Sequence, residues 1–268
     1  MEHLPKGLSS SNAGKIAKRL GLVSGGEVLD VATAGGRFID TLMKTLKDYD
    51  SFIGIDHCAS DESRNSMESA KKQFEGKPVR FLKMNAENLQ FEDESFDTVC
   101  ISHSLHHLAN INKVLAEMKC VLKRNGNFVL QETYCDGDQT DAQKTDERKH
   151  KWEAQIDSLL GITHNKTLTK KRIIDIADSL MLKEMEIFDS THPIECLFCE
   201  RKHECEDPRN QATFHKAIKD IDNAIKSIEG YPDPVTRDRL REEGKKIKEA
   251  IAEFGSSPAS YLFIIGKK

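Results

Sequence analysis

The chain has 268 residues, longer than a typical domain of about 100–150, so one large domain or one domain with an insertion is expected. A net charge of −4 leaves no basic bulk to attract nucleic acid, and no run approaches the ~20 apolar residues of a membrane span. The first residues, Met-Glu-His-Leu-Pro-Lys, lack the apolar core of a signal peptide, and seven cysteines, an odd number, fit free thiols in a reducing, cytoplasmic compartment.

Strand and helix signals alternate along the chain. Ser9-Ser10-Ser11-Asn12 offers N-cap candidates for a first helix that reaches Leu20 and stops at Gly21. Glu27–Val31 reads as a buried strand, after which Phe38, Ile39, Leu42, Met43 and Leu46 recur at helical spacing. Phe52–Ile55 is a second strand, Asp61–Phe74 a charged helix, Val79–Lys83 a third strand and Thr98–Ser102 a fourth. In Ile111–Leu122, Val114, Leu115, Met118, Val121 and Leu122 mark one helix face. Lys123-Arg124-Asn125-Gly126 ends that helix with cations at its negative pole and a glycine to turn the chain. Phe128–Gln131 is the fifth strand. Strands separated by such helices imply parallel βαβ units and an α/β, doubly wound, Rossmann-like sheet.

Beyond the fifth strand, Gln143–Leu160 reads as a helix with Trp152, Ile156, Leu159 and Leu160 along one side, running into Gly161-Ile162-Thr163-His164-Asn165. A helix over Thr169–Met181 and a sixth strand, Lys183–Phe188, follow, and Tyr261–Gly266 is the last strand. Between those two strands lies an insertion, residues 190–257, set into a main domain of residues 1–189 and 258–268. Within it Phe214, Ile218, Ile221, Ile225 and Ile228, then Leu240, Gly244, Ile247, Ile251 and Phe254, keep a 4-3 spacing on either side of Tyr231-Pro232-Asp233-Pro234. This predicts a helical hairpin with one apolar seam, packed as a cap on the main domain; a short coiled-coil-like dimer contact is the alternative. Either a monomer or a homodimer is compatible.

The chemistry concentrates in Leu-Asp-Val-Ala-Thr-Ala-Gly-Gly, residues 29–36, which joins the first strand to its helix. Open α/β sheets bind ligands at this carboxyl edge, and the helix N-terminus behind Gly35-Gly36 supplies unpaired N–H donors. The acid at Asp30 would repel a pyrophosphate but suits a ligand carrying an ammonium group. Twenty residues past Gly36, Gly54-Ile55-Asp56 places a second acid where ribose hydroxyls are gripped. A ligand with adenosine at one end and a cation at the other is implied, and S-adenosylmethionine fits.

At these residues the chain resembles the class I S-adenosylmethionine-dependent methyltransferases, especially their small-molecule branch. The resemblance rests on VLDVATAGG, FIGID, MNAENLQFEDESFDTVCISHSLHHL and MKCVLKRNGNFVLQE, over roughly residues 12 to 135. It implies a seven-stranded sheet whose last strand is antiparallel and inserted between the fifth and sixth. By the family's pattern Asp30 and the backbone of Ala32, Thr33, Ala34, Gly35 and Gly36 hold the methionine part. Asp56 accepts from the ribose hydroxyls, with His57 beside it. Asn85, Ala86 and Glu87 face adenine, and Ser102 and His103 lie under the methionine moiety. Asn85 stands where relatives often carry aspartate, yet its amide oxygen still accepts from the adenine amine. Ala34 demands a wider turn than glycine would, because a β-carbon makes a positive φ costly.

The activity implied is methyl transfer from S-adenosylmethionine to a small-molecule acceptor. A protein or RNA methyltransferase, or a catalytically silent cofactor-binding or assembly module, are the other readings. Methyl transfer asks little of side chains, because holding the acceptor in line supplies much of the barrier reduction. His107, Tyr134 and His164 are the candidates for a base, should the acceptor need one. Tyr134, His150, Trp152, His164 and Asn165 are the candidate substrate contacts, in a segment expected to close over the acceptor. Cys196-x2-Cys199-x5-Cys205, with His192 and His203 near, lacks a second Cys-x2-Cys pair, so no metal is expected there.

Overall fold

The computed structural model describes residues 12–191 and 207–268. The serines offered as N-caps for the first helix and the Cys196, Cys199, Cys205, His192 and His203 group lie outside the described residues. Two compact units divide the chain.

The first unit covers described residues 12–132, 171–191 and 261–268 and holds a seven-stranded mixed sheet. Its strands are β1 (Glu27–Val31), β2 (Ser51–Asp56), β3 (Val79–Lys83), β4 (Phe96–Ser102), β5 (Leu122–Thr133), β6 (Lys183–Ser190) and β7 (Tyr261–Lys267), in the order β3-β2-β1-β4-β5-β7-β6. β1 pairs in parallel with β2 and β4, β2 with β3, and β4 with β5, while β7 runs antiparallel to β6. The apolar runs that predicted two-faced burial are buried: Val28, Leu29 and Val31 of β1 and Val99, Cys100 and Ile101 of β4 are all closed to solvent. α1 (Asn12–Leu20) buries Ile16 and Leu20, and α2 (Arg37–Thr45) buries Phe38, Ile39 and Leu42, in one core with Phe52, Phe74 and Phe263. α3 (Asp61–Gln73), α4 (Ile111–Val121) and α6 (Lys170–Ser179) complete the flanking helices.

β5 begins at Leu122, six residues before the expected Phe128. Leu122 pairs with Phe96 and, past a register shift, Asn127 pairs with Thr98. Asn125, not Gly126, takes the left-handed turn, with φ 59°. Gly126 answers a different need: a β-carbon there would stand 2.9 Å from the carbonyl oxygens of Asp97 and Lys123.

The second unit covers described residues 133–170 and 207–260 and is built on three helices, α5 (Asp141–Leu159), α7 (Gln211–Ser227) and α8 (Pro234–Phe254). Asp233 accepts from the Val235 and Thr236 N–H groups with Pro234 at the first turn, so the predicted breaker is also a helix start. Ile221, Ile228, Leu240, Ile247 and Ile251 bury the hairpin seam as the 4-3 spacing predicts. Phe254 does not join it and is 39% exposed. The seam closes on Trp152 and Ile156 of α5, which extends the helical unit beyond the expected 190–257. Gly244 is the notch that admits the indole, since a β-carbon there would lie 3.0 Å from Trp152 Cζ2.

Candidate active site

The loop after β1 is built by hydrogen bonds that its own sequence supplies. Thr33 N–H donates to the Ile55 carbonyl of β2 at 2.9 Å, and Gly36 N–H closes a turn on the Thr33 carbonyl at 2.9 Å. Ala32, Ala34 and Gly36 have φ of 56°, 45° and 73°. Both alanines are therefore left-handed, a conformation that costs an L-residue about 1–2 kcal/mol, and the wider turn expected at Ala34 is not the solution adopted. Gly54 makes room beneath, because a β-carbon there would sit 2.9 Å from the Thr33 side chain.

Asp30 lies in register with Gly54 on one side and Cys100 on the other. Its carboxyl is 1% exposed, and Oδ2 accepts the Thr33 hydroxyl at 2.6 Å while the Cys100 thiol faces Oδ1 at 3.4 Å. Burial pushes its pKa up to about 7; the two hydrogen bonds oppose the rise, and the like charge of Asp56 adds to it. Asp30 thus holds the loop from below, with Thr33 across its outer oxygen.

Asp56 ends β2 half-buried. Its Oδ2 accepts Ala34 N–H at 3.1 Å and its Oδ1 accepts Cys58 N–H at 3.0 Å, so one carboxylate spans the loops after β1 and β2. Each oxygen keeps a second lone pair, the acceptor set that a ribose diol needs. His57 beside it is exposed. After β3, Asn85 Oδ1 accepts Glu87 N–H at 2.9 Å in an Asx turn that carries Ala86, and Lys113 Nζ stands 3.8 Å from the Glu87 carboxylate. Ser102 ends β4, and its carbonyl and that of Ala32 both accept from the Ser104 hydroxyl, at 2.8 and 3.3 Å. The Gly35 backbone is open: a β-carbon there would meet no atom within 4 Å. Half-exposed Asp56, the Asx turn and this open backbone suit an adenosine bearing an amino-acid tail.

Two residues at the end of β5 carry a role that the sequence reading missed. Glu132, fully buried, accepts Leu105 N–H at 2.6 Å through Oε2 and meets His106 Nδ1 at 2.9 Å through Oε1. Burial works to raise its pKa, but the His106 hydrogen bond and charge, the charge of His103 and the Leu105 N–H together hold it below the usual glutamate range. Gln131 reaches His103 Nε2 at 2.5 Å, and His103, at φ 48°, sits edge-on to Tyr261 with ring centroids 5.8 Å apart. These contacts fix the 3₁₀ turn Leu105–His107, on which His107 is exposed with its ring 4.3 Å from that of His106. Only the Gln-Glu pair closing the fifth strand signalled them, and its partners lie 26 to 28 residues away.

In the helical unit, Tyr134 is buried and Lys170 Nζ lies 5.5 Å over its ring. Trp152 is fully buried and its indole N–H donates to the Leu240 carbonyl at 3.0 Å. It is core, which corrects the expectation that it touches substrate: both its ring face and its one polar atom are taken up by α8. His164 Nδ1 meets Asp157 Oδ2 at 2.6 Å, its Nε2 lies 3.1 Å from His150 Nε2, and Asn165 beside it is exposed.

Comparison with known proteins places the family on the sheet unit. Residues 29–130 match the family described as Methyltransferase domain. A ubiquinone/menaquinone biosynthesis C-methyltransferase of Desulfotalea psychrophila is 33% identical over 118 residues, 44% of this chain and 46% of that one. A demethylmenaquinone methyltransferase of Lactococcus lactis is 34% identical over 122 residues, again 44% and 46%. The chain thus spans about half the length of the curated relatives it matches. A Haemonchus contortus phosphoethanolamine N-methyltransferase solved with S-adenosyl-L-methionine shares the fold with a TM-score of 0.53 and 17% identity, over 96% of this chain and 52% of that one. Residues 29–130 thus match the methyltransferase-domain family, and the seven-stranded sheet that carries them has the fold of the class I S-adenosylmethionine-dependent methyltransferases.

Proposed function

We propose that the protein is an S-adenosylmethionine-dependent methyltransferase acting on a small-molecule acceptor. The observation that carries the reading is Asp56, a half-exposed carboxylate at the end of β2 tied to the Ala34 N–H of the family's cofactor loop. When bound, S-adenosylmethionine supplies a methyl group already activated on a sulfonium. The work left to this chain is to hold and orient. Asp56 accepts the ribose hydroxyls, the turn at Asn85, Ala86 and Glu87 lies along adenine, and the backbone of residues 32–36 with Ser102 and His103 receives the methionine portion. For the acceptor we assign Tyr134, His150, His164 and Asn165, with His107, Tyr134 or His164 taking a proton where the acceptor must lose one. No helix among the described residues is long and apolar enough to cross a membrane. On the strength of the odd cysteine count and the acidic balance, we place the reaction in the cytoplasm, with the protein a monomer or homodimer that does not bind nucleic acid.

Titration calorimetry with S-adenosylhomocysteine tests the reading. Asp56→Ala should weaken binding by about 1.5–3 kcal/mol, the worth of hydrogen bonds to a charged group. Unchanged affinity in that variant, or a wild-type protein that binds NAD and not S-adenosylhomocysteine, would overturn it. Salt-dependent RNA binding would move the acceptor from small molecule to nucleic acid.

A further inference from the structure

We propose that His150 and His164 form the protein half of a binding site for a divalent transition-metal ion of the zinc class. Every residue of this site lies in the helical unit, and metal binding there does not depend on methyl transfer.

The local fold brings the two rings together. His150 and Asp157 stand two turns apart on α5, and the chain then reverses over the helix end: Gly161 adopts φ 78°, Ile162 N–H donates to the Asp157 carbonyl at 2.9 Å, and the Ser158 hydroxyl donates to the His164 carbonyl at 3.3 Å. His164 is thereby laid back against Asp157, whose Oδ2 takes its Nδ1 at 2.6 Å. Thr167 Oγ1 holds His150 Nδ1 at 3.1 Å. Each imidazole is anchored through Nδ1, and both Nε2 atoms face one another at 3.1 Å. Such an outer anchor, a carboxylate on one ring and a hydroxyl on the other, is what orients histidines that bind a metal through Nε2.

Two nitrogens at this distance need a proton or a cation between them, and the ring positions discriminate. A linear N–H···N bond of this length would hold the ring centroids about 5.4 Å apart, the nitrogen separation plus two ring radii. Two rings aimed at one ion about 2.0–2.1 Å from each nitrogen would hold them about 4.8 Å apart at the observed nitrogen separation, and about 5.2 Å apart at the full tetrahedral angle. The observed centroid separation is 4.7 Å, with the planes at 72°. The nitrogen separation also fits, since two ligands of a tetrahedral zinc ion stand about 3.3 Å apart. Imidazole ligands select zinc and its neighbours over magnesium or calcium, which prefer oxygen. The two histidines fill two of four positions, and water or a ligand heteroatom takes the others; with the ion bound, His164 has no nitrogen left to act as a base, and that role falls to His107 or Tyr134.

The test begins with the full chain stripped by chelation and titrated with CoCl2, then ZnCl2. One cobalt per chain should bind, giving ligand-field bands without a thiolate charge-transfer band, and zinc should displace it. His150→Ala and His164→Ala should each weaken binding at least 100-fold, and Asp157→Asn, which alters only the outer anchor, by about 10–100-fold. Circular dichroism checks that the variants are folded. Should either alanine variant unfold, X-ray absorption of the zinc-loaded wild type decides, with imidazole scattering expected. No saturable binding, a charge-transfer band that puts the ion on the chain's cysteines, or unchanged affinity in both histidine variants would overturn the site. Because the readout is metal binding, its failure leaves the methyltransferase reading standing, and the failure of that reading leaves this one.

Discussion

Asp30 at the end of β1 and Glu132 at the end of β5 are both buried carboxyls, yet burial has opposite outcomes for them. Asp30, offered a hydroxyl, a thiol and the like charge of Asp56, is pushed up to about 7. Glu132, offered His106, His103 and a backbone N–H, is held below the usual range despite its own full burial. The difference teaches that the ends of these strands are not equivalent anion sites: one arrives with its imidazole partners in place, and the other stays poised between charged and neutral until something cationic comes near.

The largest effect should come from breaking the completed pair. Glu132→Ala leaves His106 and the Leu105 N–H buried without the carboxylate, and should lower the unfolding free energy by about 3–5 kcal/mol in denaturant titrations. Because the folded pKa of Glu132 is depressed, its contribution is present above the ordinary glutamate value and is lost as pH falls through the lowered one. Asp30 works in the other direction. Its folded pKa is raised from 3.8 to about 7, so stability should fall by about 4 kcal/mol as pH rises across that window and level off above it. Asp30→Asn, which keeps an acceptor for Thr33, should flatten that slope; an unchanged slope would show that other groups set it. Next in size, S-adenosylhomocysteine, which carries an ammonium, should drive a fraction of a proton off Asp30 near pH 7. Calorimetry in buffers of different ionisation enthalpy would read this release, which Asp30→Asn should abolish. The smallest effect belongs to Thr33→Val, which removes one hydrogen bond to Asp30 and should cost about 1 kcal/mol while moving the pH slope further upward.

The sheet was legible because its signals are local. Glu27–Val31 and Val79–Lys83 are bounded in the structure as periodicity and turn residues bounded them. The start of β5 was not, because Lys123-Arg124-Asn125-Gly126 carries the composition of a helix stop, while Leu122 before it pairs with Phe96 and its own backbone is bonded by Lys268, 142 residues beyond Gly126. The same limit governs the site. Asp56 could be placed by counting from Gly36, but Glu132 acquires its meaning only from His106, 26 residues away. Trp152 misled for the same reason. A lone tryptophan on a polar helix reads as a ligand contact until Leu240, 88 residues on, is seen to accept its N–H and Gly244 to make room for its ring.

The alanines at 32 and 34 have a consequence for the unbound chain. Glycine visits left-handed backbone as readily as right-handed, so a glycine-rich loop wanders widely before it is filled. Methyl groups at φ 56° and 45° set the opposite bias: an alanine favours right-handed and extended backbone by about 1–2 kcal/mol, so the left-handed cradle is kept by the Asp30–Thr33 and Ala34–Asp56 bonds and not by the loop's own preference. The strain is spent at folding, when the core of the sheet can offset it. What remains for ligand capture is a loop whose shape is lent by its anchors, so affinity depends on those two bonds staying closed.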